Sequence, residues 1–207
     1  MSEKKNPENQ NSMENLAKKY NVPLQTIQQA KDIVELSFKL NPKVVPLMIS
    51  EAGVGKTPVA RSLAKKLGYN FMIIKLANME KEDITGYIHL CKEGDTYKFV
   101  PHDAMIQNMK KGKTLLFFDE LNRGDLPTVK SFFNVIDERR FGDYKLPDDT
   151  LICAAMNPAT KNYNVNDILA EAALRKRFRV ICCRADSGTY VNYRGHFIID
   201  DARLVEK

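Results

Sequence analysis

The segment Ser50-Glu51-Ala52-Gly53-Val54-Gly55-Lys56-Thr57 sets two glycines, a lysine and a threonine hydroxyl in the order that cradling a polyphosphate requires. Glycines let successive backbone N–H groups turn inward around a phosphate, and a helix that starts where the loop ends points its positive end at the same anion. Lys56 supplies countercharge for β- and γ-phosphate oxygens, and Thr57 offers a hydroxyl to Mg2+. The usual spacing, G-x-x-x-x-G-K-[ST], has glycine where this chain has Ser50, so that turn must admit a Cβ. Ser50, Gly53, Val54, Gly55, Lys56, Thr57 and Pro58 are the candidate nucleotide-contacting residues.

Two carboxylates stand ready to join them. Leu115-Leu116-Phe117-Phe118 is an apolar run that ends in Asp119-Glu120. At a strand's carboxyl end Asp119 would hold the Mg2+ shell together with Thr57, and Glu120, one step farther out, would polarise an attacking water. Asn157, in Ala154-Ala155-Met156-Asn157-Pro158, emerges from another apolar run where an amide can orient that water. The crowded cations of Ala173 to Arg179 either form an ordinary solvated face or carry Arg177 to the γ-phosphate of a neighbouring subunit.

These residues need elements that deliver them to one place. Five short runs rich in β-branched or aromatic residues, Val44 to Ile49, Asn70 to Leu76, Thr114 to Asp119, Thr150 to Met156 and Arg179 to Cys183, read as strands buried on both faces. Helical patterns at Pro58 to Leu67, Ala104 to Lys110 and Leu126 to Glu138 alternate with them. The expected fold class is therefore α/β, a five-stranded parallel sheet between helical layers. Gly86 to Val100 interrupts the rhythm as an inserted β-hairpin around Glu93-Gly94-Asp95. Residues 1 to 12 are polar and read as a disordered tail, and residues 13 to 43 as two helices broken at Asn21-Val22-Pro23. Leu16 to Ile27 has the spacing of a helix-turn-helix, in which Gln25, Thr26 and Gln28 would read base edges, although Ala17 and Ile27 also suit a core.

The chain has 207 residues, enough for one α/β domain, with 43% hydrophobic and 28% charged residues, an ordinary soluble balance. Lys plus Arg number 32 against 26 Asp plus Glu, a net charge of +6, which suits an anionic ligand and only weakly a nucleic acid. Cys91, Cys153, Cys182 and Cys183 form no C-x-x-C pair, so buried thiols are expected rather than a zinc site. No apolar run reaches spanning length and the start lacks a signal-peptide pattern, so a cytoplasmic protein without membrane contact is expected.

Taken in order, the segments resemble those of an AAA+ ATPase, more narrowly its MoxR-like and dynein-related branch, over about residues 44 to 183. Ser50 to Thr57 looks like that family's Walker A, Leu115 to Glu120 like Walker B, and Asn157 like sensor 1. Asp119-Glu120-Leu121-Asn122-Arg123 is similar to the branch's D-E-[IL]-N-R signature, and Ile136-Asp137-Glu138-Arg139-Arg140 falls where its E-[RE]-R segment lies. The resemblance implies a P-loop NTPase sandwich spanning residues 44 to 185, with ATP and Mg2+ as cofactors. It also implies a hexameric ring, a protein or macromolecular client, and Arg177 as a finger acting in trans, with Arg175 as its substitute. A DNA-associated protein, or a nucleotide motor using GTP, is the alternative. Residues 186 to 207 do not match the family's helical lid, so a short lidless extension and weak turnover by the isolated chain are expected.

Overall fold

Parallel strands with no polar face need cover on both sides, and in the computed structural model of the chain the central strands have it, whereas the edge run Asn70–Lys75 is only half-buried. The structure describes residues 7–91, 96–159, 165–170 and 172–185, with side chains from Met13 onward. In chain order the elements begin with α1 (Pro7–Tyr20), β1 (Leu24–Thr26), α2 (Ile27–Leu40), β2 (Val45–Ile49), α3 (Lys56–Leu67) and β3 (Asn70–Lys75). A short α4 (Lys81–Thr85) leads into a hairpin of β4 (Tyr87–Leu90) and β5 (Tyr97–Val100), then α5 (Asp103–Met109) and β6 (Thr114–Asp119). The rest is α6 (Leu126–Glu138), a second hairpin of β7 (Arg140–Phe141) and β8 (Tyr144–Lys145), β9 (Leu151–Met156), α7 (Ala172–Arg175) and β10 (Phe178–Arg184).

The main sheet runs β1-β10-β2-β9-β6-β3, parallel throughout. Because side chains alternate across a strand, each central strand feeds two cores. Leu116 and Phe118 of β6 pack with Ile152 and Ala154 of β9 under α1, α5 and α6, whereas Leu115 and Phe117 pack with Cys153 and Ala155 under α2 and α3. The three layers are those expected, but among the described residues the sheet has six strands rather than five.

The sixth is β1, and it corrects the reading of the N-terminal segment. Thr26 accepts a hydrogen bond from the backbone N–H of Gln29 while the Gln29 side chain accepts one from the N–H of Thr26, a capping box that starts α2 only at Ile27. Leu24 to Thr26 stay extended and pair with Cys182 to Arg184, covering the edge of β10. Gln25 and Thr26 thus belong to a strand and not to a recognition helix, and Ala17 and Ile27 are core residues at 4% and 1% exposure. Helix α1 begins at Pro7, so it takes in half of the stretch expected to be a tail; residues 1–6 lie outside the described residues. The inserted hairpin forms where expected, with Ile88 opposite Phe99 and Leu90 opposite Tyr97, although its Glu93-Gly94-Asp95 turn lies outside the described residues. So does the expected lidless extension at 186–207.

Candidate functional site

Strand β2 is central in the sheet, flanked by β10 and β9, and its carboxyl end at Ile49 opens into the glycine loop. Parallel pairing places the ends of β6 and β9 at the same edge. Gly53 at φ +76° and Gly55 at φ +103° hold left-handed backbone that a side chain would strain. Gly55 caps α3 without any side-chain bond, which leaves first-turn N–H groups of the helix for an anion. Ser50 answers the question its Cβ raised. Its backbone is not left-handed, its side chain is fully buried, and its hydroxyl donates to the Glu51 carbonyl at 3.1 Å.

Lys56 crosses the loop rather than leaving it. Its Nζ donates to the Ser50 carbonyl (2.9 Å), the Ser50 hydroxyl (3.1 Å), the Glu51 carbonyl (3.1 Å) and Asn157 Oδ1 (3.0 Å). Four acceptors share three protons. Burial pushes the ammonium below the usual lysine value, opposed by the neighbouring Cys183, Asp119, Glu51 and Glu120. All four acceptors are neutral, so anionic phosphate oxygens at the same spot would bond the ammonium more strongly. Behind the loop Cys183 donates from Sγ to the Ile49 carbonyl at 3.5 Å, and burial pushes its thiol up to about 11.

Thr57 donates from Oγ1 to Asp119 Oδ2 at 2.7 Å, across the intervening strand β9. A hydroxyl and a carboxylate in contact at a strand end are the hard oxygen donors that Mg2+ accepts, with water and phosphate oxygens completing its shell. Glu120 follows in a left-handed conformation, φ +54°, which turns its partly exposed carboxylate sideways to Arg123 at 3.2 Å. Strain of this kind at a non-glycine residue costs about 1–3 kcal/mol and clusters at working sites.

The structure therefore brings Ser50, Lys56, Thr57, Asp119 and Asn157 together, with Glu120 beside them. Arg177 is not among them. Its Nε donates to both carboxylate oxygens of Asp137 at 2.9 and 2.8 Å, and its Nη1 donates to the Ala173 carbonyl at 3.0 Å. Asp137 sits in the last turn of α6, roughly 16 Å along the helix from its start at Leu126, at 1.5 Å per residue. One residue was left without a role by sequence reasoning. Asn122, inside the quoted signature, is fully buried and donates from Nδ2 to the Asn157 carbonyl at 2.9 Å. Its sequence signal is its place in that signature, as an amide in an otherwise apolar or charged turn.

Fold and loop together define a P-loop nucleotide-binding domain of the AAA type. The family model described as "AAA domain (dynein-related subfamily)" matches residues 46–178, and the chain belongs to that family. A Lon protease of Mycoplasma mycoides subsp. mycoides SC is 30% identical over 131 residues, which cover 57% of this chain and 16% of that protein. A "putative ATPase" of Cytophaga hutchinsonii shares the fold at a TM-score of 0.55 and 18% identity, over 88% of this chain and 54% of its own. The RuvB Holliday junction branch migration motor of Thermotoga maritima matches at 0.48 and 16% identity, over 76% and 44%. The chain thus spans a small part of the curated relative and about half of the first of these structures. Among the described residues no helix is long and apolar enough to cross a membrane.

Proposed function

We propose that this chain binds ATP with Mg2+ at Ser50 to Thr57 and hydrolyses it as one subunit of a ring that remodels a protein or macromolecular client. The observation that carries the proposal is the meeting of the Lys56 ammonium, the Thr57 and Asp119 oxygens and the Asn157 amide at one sheet edge. Lys56 exchanges its loop acceptors for β- and γ-phosphate oxygens, and the N–H groups of Gly53 to Thr57 bond the β-phosphate. Thr57 and Asp119 would hold Mg2+, which would neutralise charge on the phosphates. Glu120 accepts a proton from the attacking water as the bond between the γ-phosphorus and the bridging oxygen breaks, releasing ADP and phosphate.

Ring assembly is supported by membership of a family whose members usually form rings, and by the position of Arg177. Held on Asp137 at the far end of α6, Arg177 fits a group that serves a neighbour's phosphate and not its own.

Nucleotide titration of wild type and Lys56→Ala tests the reading directly. Loss of charge-assisted hydrogen bonds worth about 1.5–3 kcal/mol should weaken ATP binding by about 10- to 150-fold. Equal affinity in the two proteins refutes the site. The same titration with GTP decides which base the domain prefers.

A further inference from the structure

We propose that Asn122 is a positioning residue for hydrolysis, which fixes Asn157 relative to Glu120 through a single side-chain hydrogen bond. The proposal rests on the ATPase reading and adds to it a residue that touches neither nucleotide nor water.

Asn122 lies in the one-turn 3-10 helix Leu121–Arg123, two residues after Glu120, with no exposed surface. A buried amide is costly unless its groups are bonded, so its presence there calls for a reason. Nδ2 donates to the Asn157 carbonyl at 2.9 Å, while Oδ1 is buried with no partner among the described residues. The carbonyl it serves lies beyond the sheet: β9 ends at Met156, and Pro158, with no N–H, follows Asn157. The bond therefore sets the orientation of the Asn157 peptide. With that peptide it sets the direction in which the Asn157 side chain leaves the backbone. Asn157 Oδ1 in turn meets Lys56 Nζ at 3.0 Å.

The Asn122 segment is itself anchored on its other side. Its carbonyl accepts from the backbone N–H of Asn166 at 3.0 Å, and the Asn166 side chain donates to the Gly124 carbonyl at 2.9 Å. Glu120 and Asn157 arise from different strands, β6 and β9, which pair no farther toward the site than Phe118 with Ala154. Past that pair the two chain ends have no ladder between them. Asn122 supplies the cross-link in the gap, so the Glu120 carboxylate and the Asn157 amide keep a fixed separation across an attacking water. A shift of about 1 Å in such a pair is enough to cost on the order of 100-fold in rate.

Asn122→Leu keeps the number and branching of side-chain heavy atoms, removes the donor and also removes the unpartnered oxygen. A purely structural role predicts lower thermal stability and no change specific to turnover. The positioning role predicts a kcat reduced about 10- to 100-fold, with nucleotide affinity within threefold of wild type. Asn122→Asp, which sets an acceptor against the Asn157 carbonyl, is the second variant should the first not fold. The decisive measurement is a double-mutant cycle with Asn157→Ala, in turnover and in thermal unfolding without nucleotide. Asn122→Leu should have little further effect on turnover once the Asn157 amide is gone, whereas its effect on unfolding should be additive, because Asn157→Ala keeps the backbone carbonyl that Asn122 bonds. Additive effects on turnover, or an unchanged kcat in a folded Asn122 variant, overturn the proposal. Failure of wild type to bind or hydrolyse nucleotide instead removes the ATPase reading, and the positioning role falls with it.

Discussion

The phosphate end of the sheet and the β4–β5 hairpin are built on opposite terms. At the phosphate end Ser50, Lys56, Asp119 and Asn157 are buried polar residues with close partners, above strands whose apolar side chains are sealed in two cores. On the hairpin Ile88, Leu90, Tyr97 and Phe99 share one face and remain 67%, 75%, 59% and 37% exposed. The hairpin is fastened to the domain mainly through backbone. The N–H of Asp143 donates to the Phe99 carbonyl at 2.8 Å, Asp143 Oδ2 accepts from the Phe99 N–H at 2.8 Å, and the Gly142 N–H donates to the Ile84 carbonyl at 3.2 Å. Side-chain volume fixes one region, and main-chain hydrogen bonds fix the other.

The contrast predicts unequal costs for similar truncations. Phe117, fully buried and 5.8 Å from the Phe71 ring, should lose about 3–5 kcal/mol of stability as Phe117→Ala. Ile88→Ala should stay within about 0.5 kcal/mol, because exposed substitutions rarely exceed that. Chemical denaturation of both variants checks the pair; comparable losses would mean that the hairpin carries packing that its exposure conceals. The next effect in size belongs to the site itself. Glu120→Gln removes the proposed base and leaves Lys56, Thr57 and Asp119 in place, so turnover should fall by about 100-fold or more while ATP affinity holds. A parallel loss of affinity would show that Glu120 works in binding.

How much of this was readable without coordinates follows from the same contrast. Long buried strands announce themselves: all five apolar runs are strands, and α6 spans Leu126–Glu138 as its pattern indicates. The pairing of Lys56 with Asn157 and of Thr57 with Asp119 follows once those strands run parallel. Short elements held by neighbours leave no period to read. Strand β1 has three residues and exists because β10 has an edge to cover, and β7 and β8 have two residues each. The segment Asp137 to Arg140 was legible as a charged motif but not as the approach to a hairpin, since no periodicity shows in two residues. Asn122 was legible as a letter of the signature, while its bond to a carbonyl 35 positions away depends on tertiary folding.

Gly142 is where the backbone attachment of the hairpin is most exposed to test. Its φ is +49°, and a Cβ there would stand 2.5 Å from the Phe99 carbonyl oxygen and 2.7 Å from that of Thr85. Gly142→Ala should cost about 1–3 kcal/mol, through strain and the forced retreat of β5. Amide exchange at Phe99 and Asp143 should accelerate, and ATP affinity should not change. A variant as stable as wild type would show that the hairpin can detach from β7–β8 at no cost.

The smallest expected effect concerns the support behind the phosphate loop. Glu35 on α2 accepts from Lys39 at 2.8 Å and from Lys66 on α3 at 2.6 Å, tying the helix that follows the loop to its neighbour. Only 7% of Glu35 is exposed, but the cover comes largely from the stems of the two lysines, whose own side chains are 62% and 58% exposed. Hydrogen bonds from Lys39 and then Lys66 hold the carboxyl down at about 2, against an ordinary 4.5. As pH falls below 4.5 the unfolded chain takes up a proton that the folded chain refuses, so this stabilisation is complete above that value and fades as pH approaches 2. Thermal melts of wild type and Glu35→Gln should differ by a small margin near neutral pH, because the partners are solvated and the pairing is screened. The margin should shrink on acidification through that window and also in high salt. Comparing the two proteins cancels the remaining carboxylates, so a gap that is the same at pH 7 and near pH 2 would mean that Glu35 acts by filling space between α2 and α3 and not by its charge.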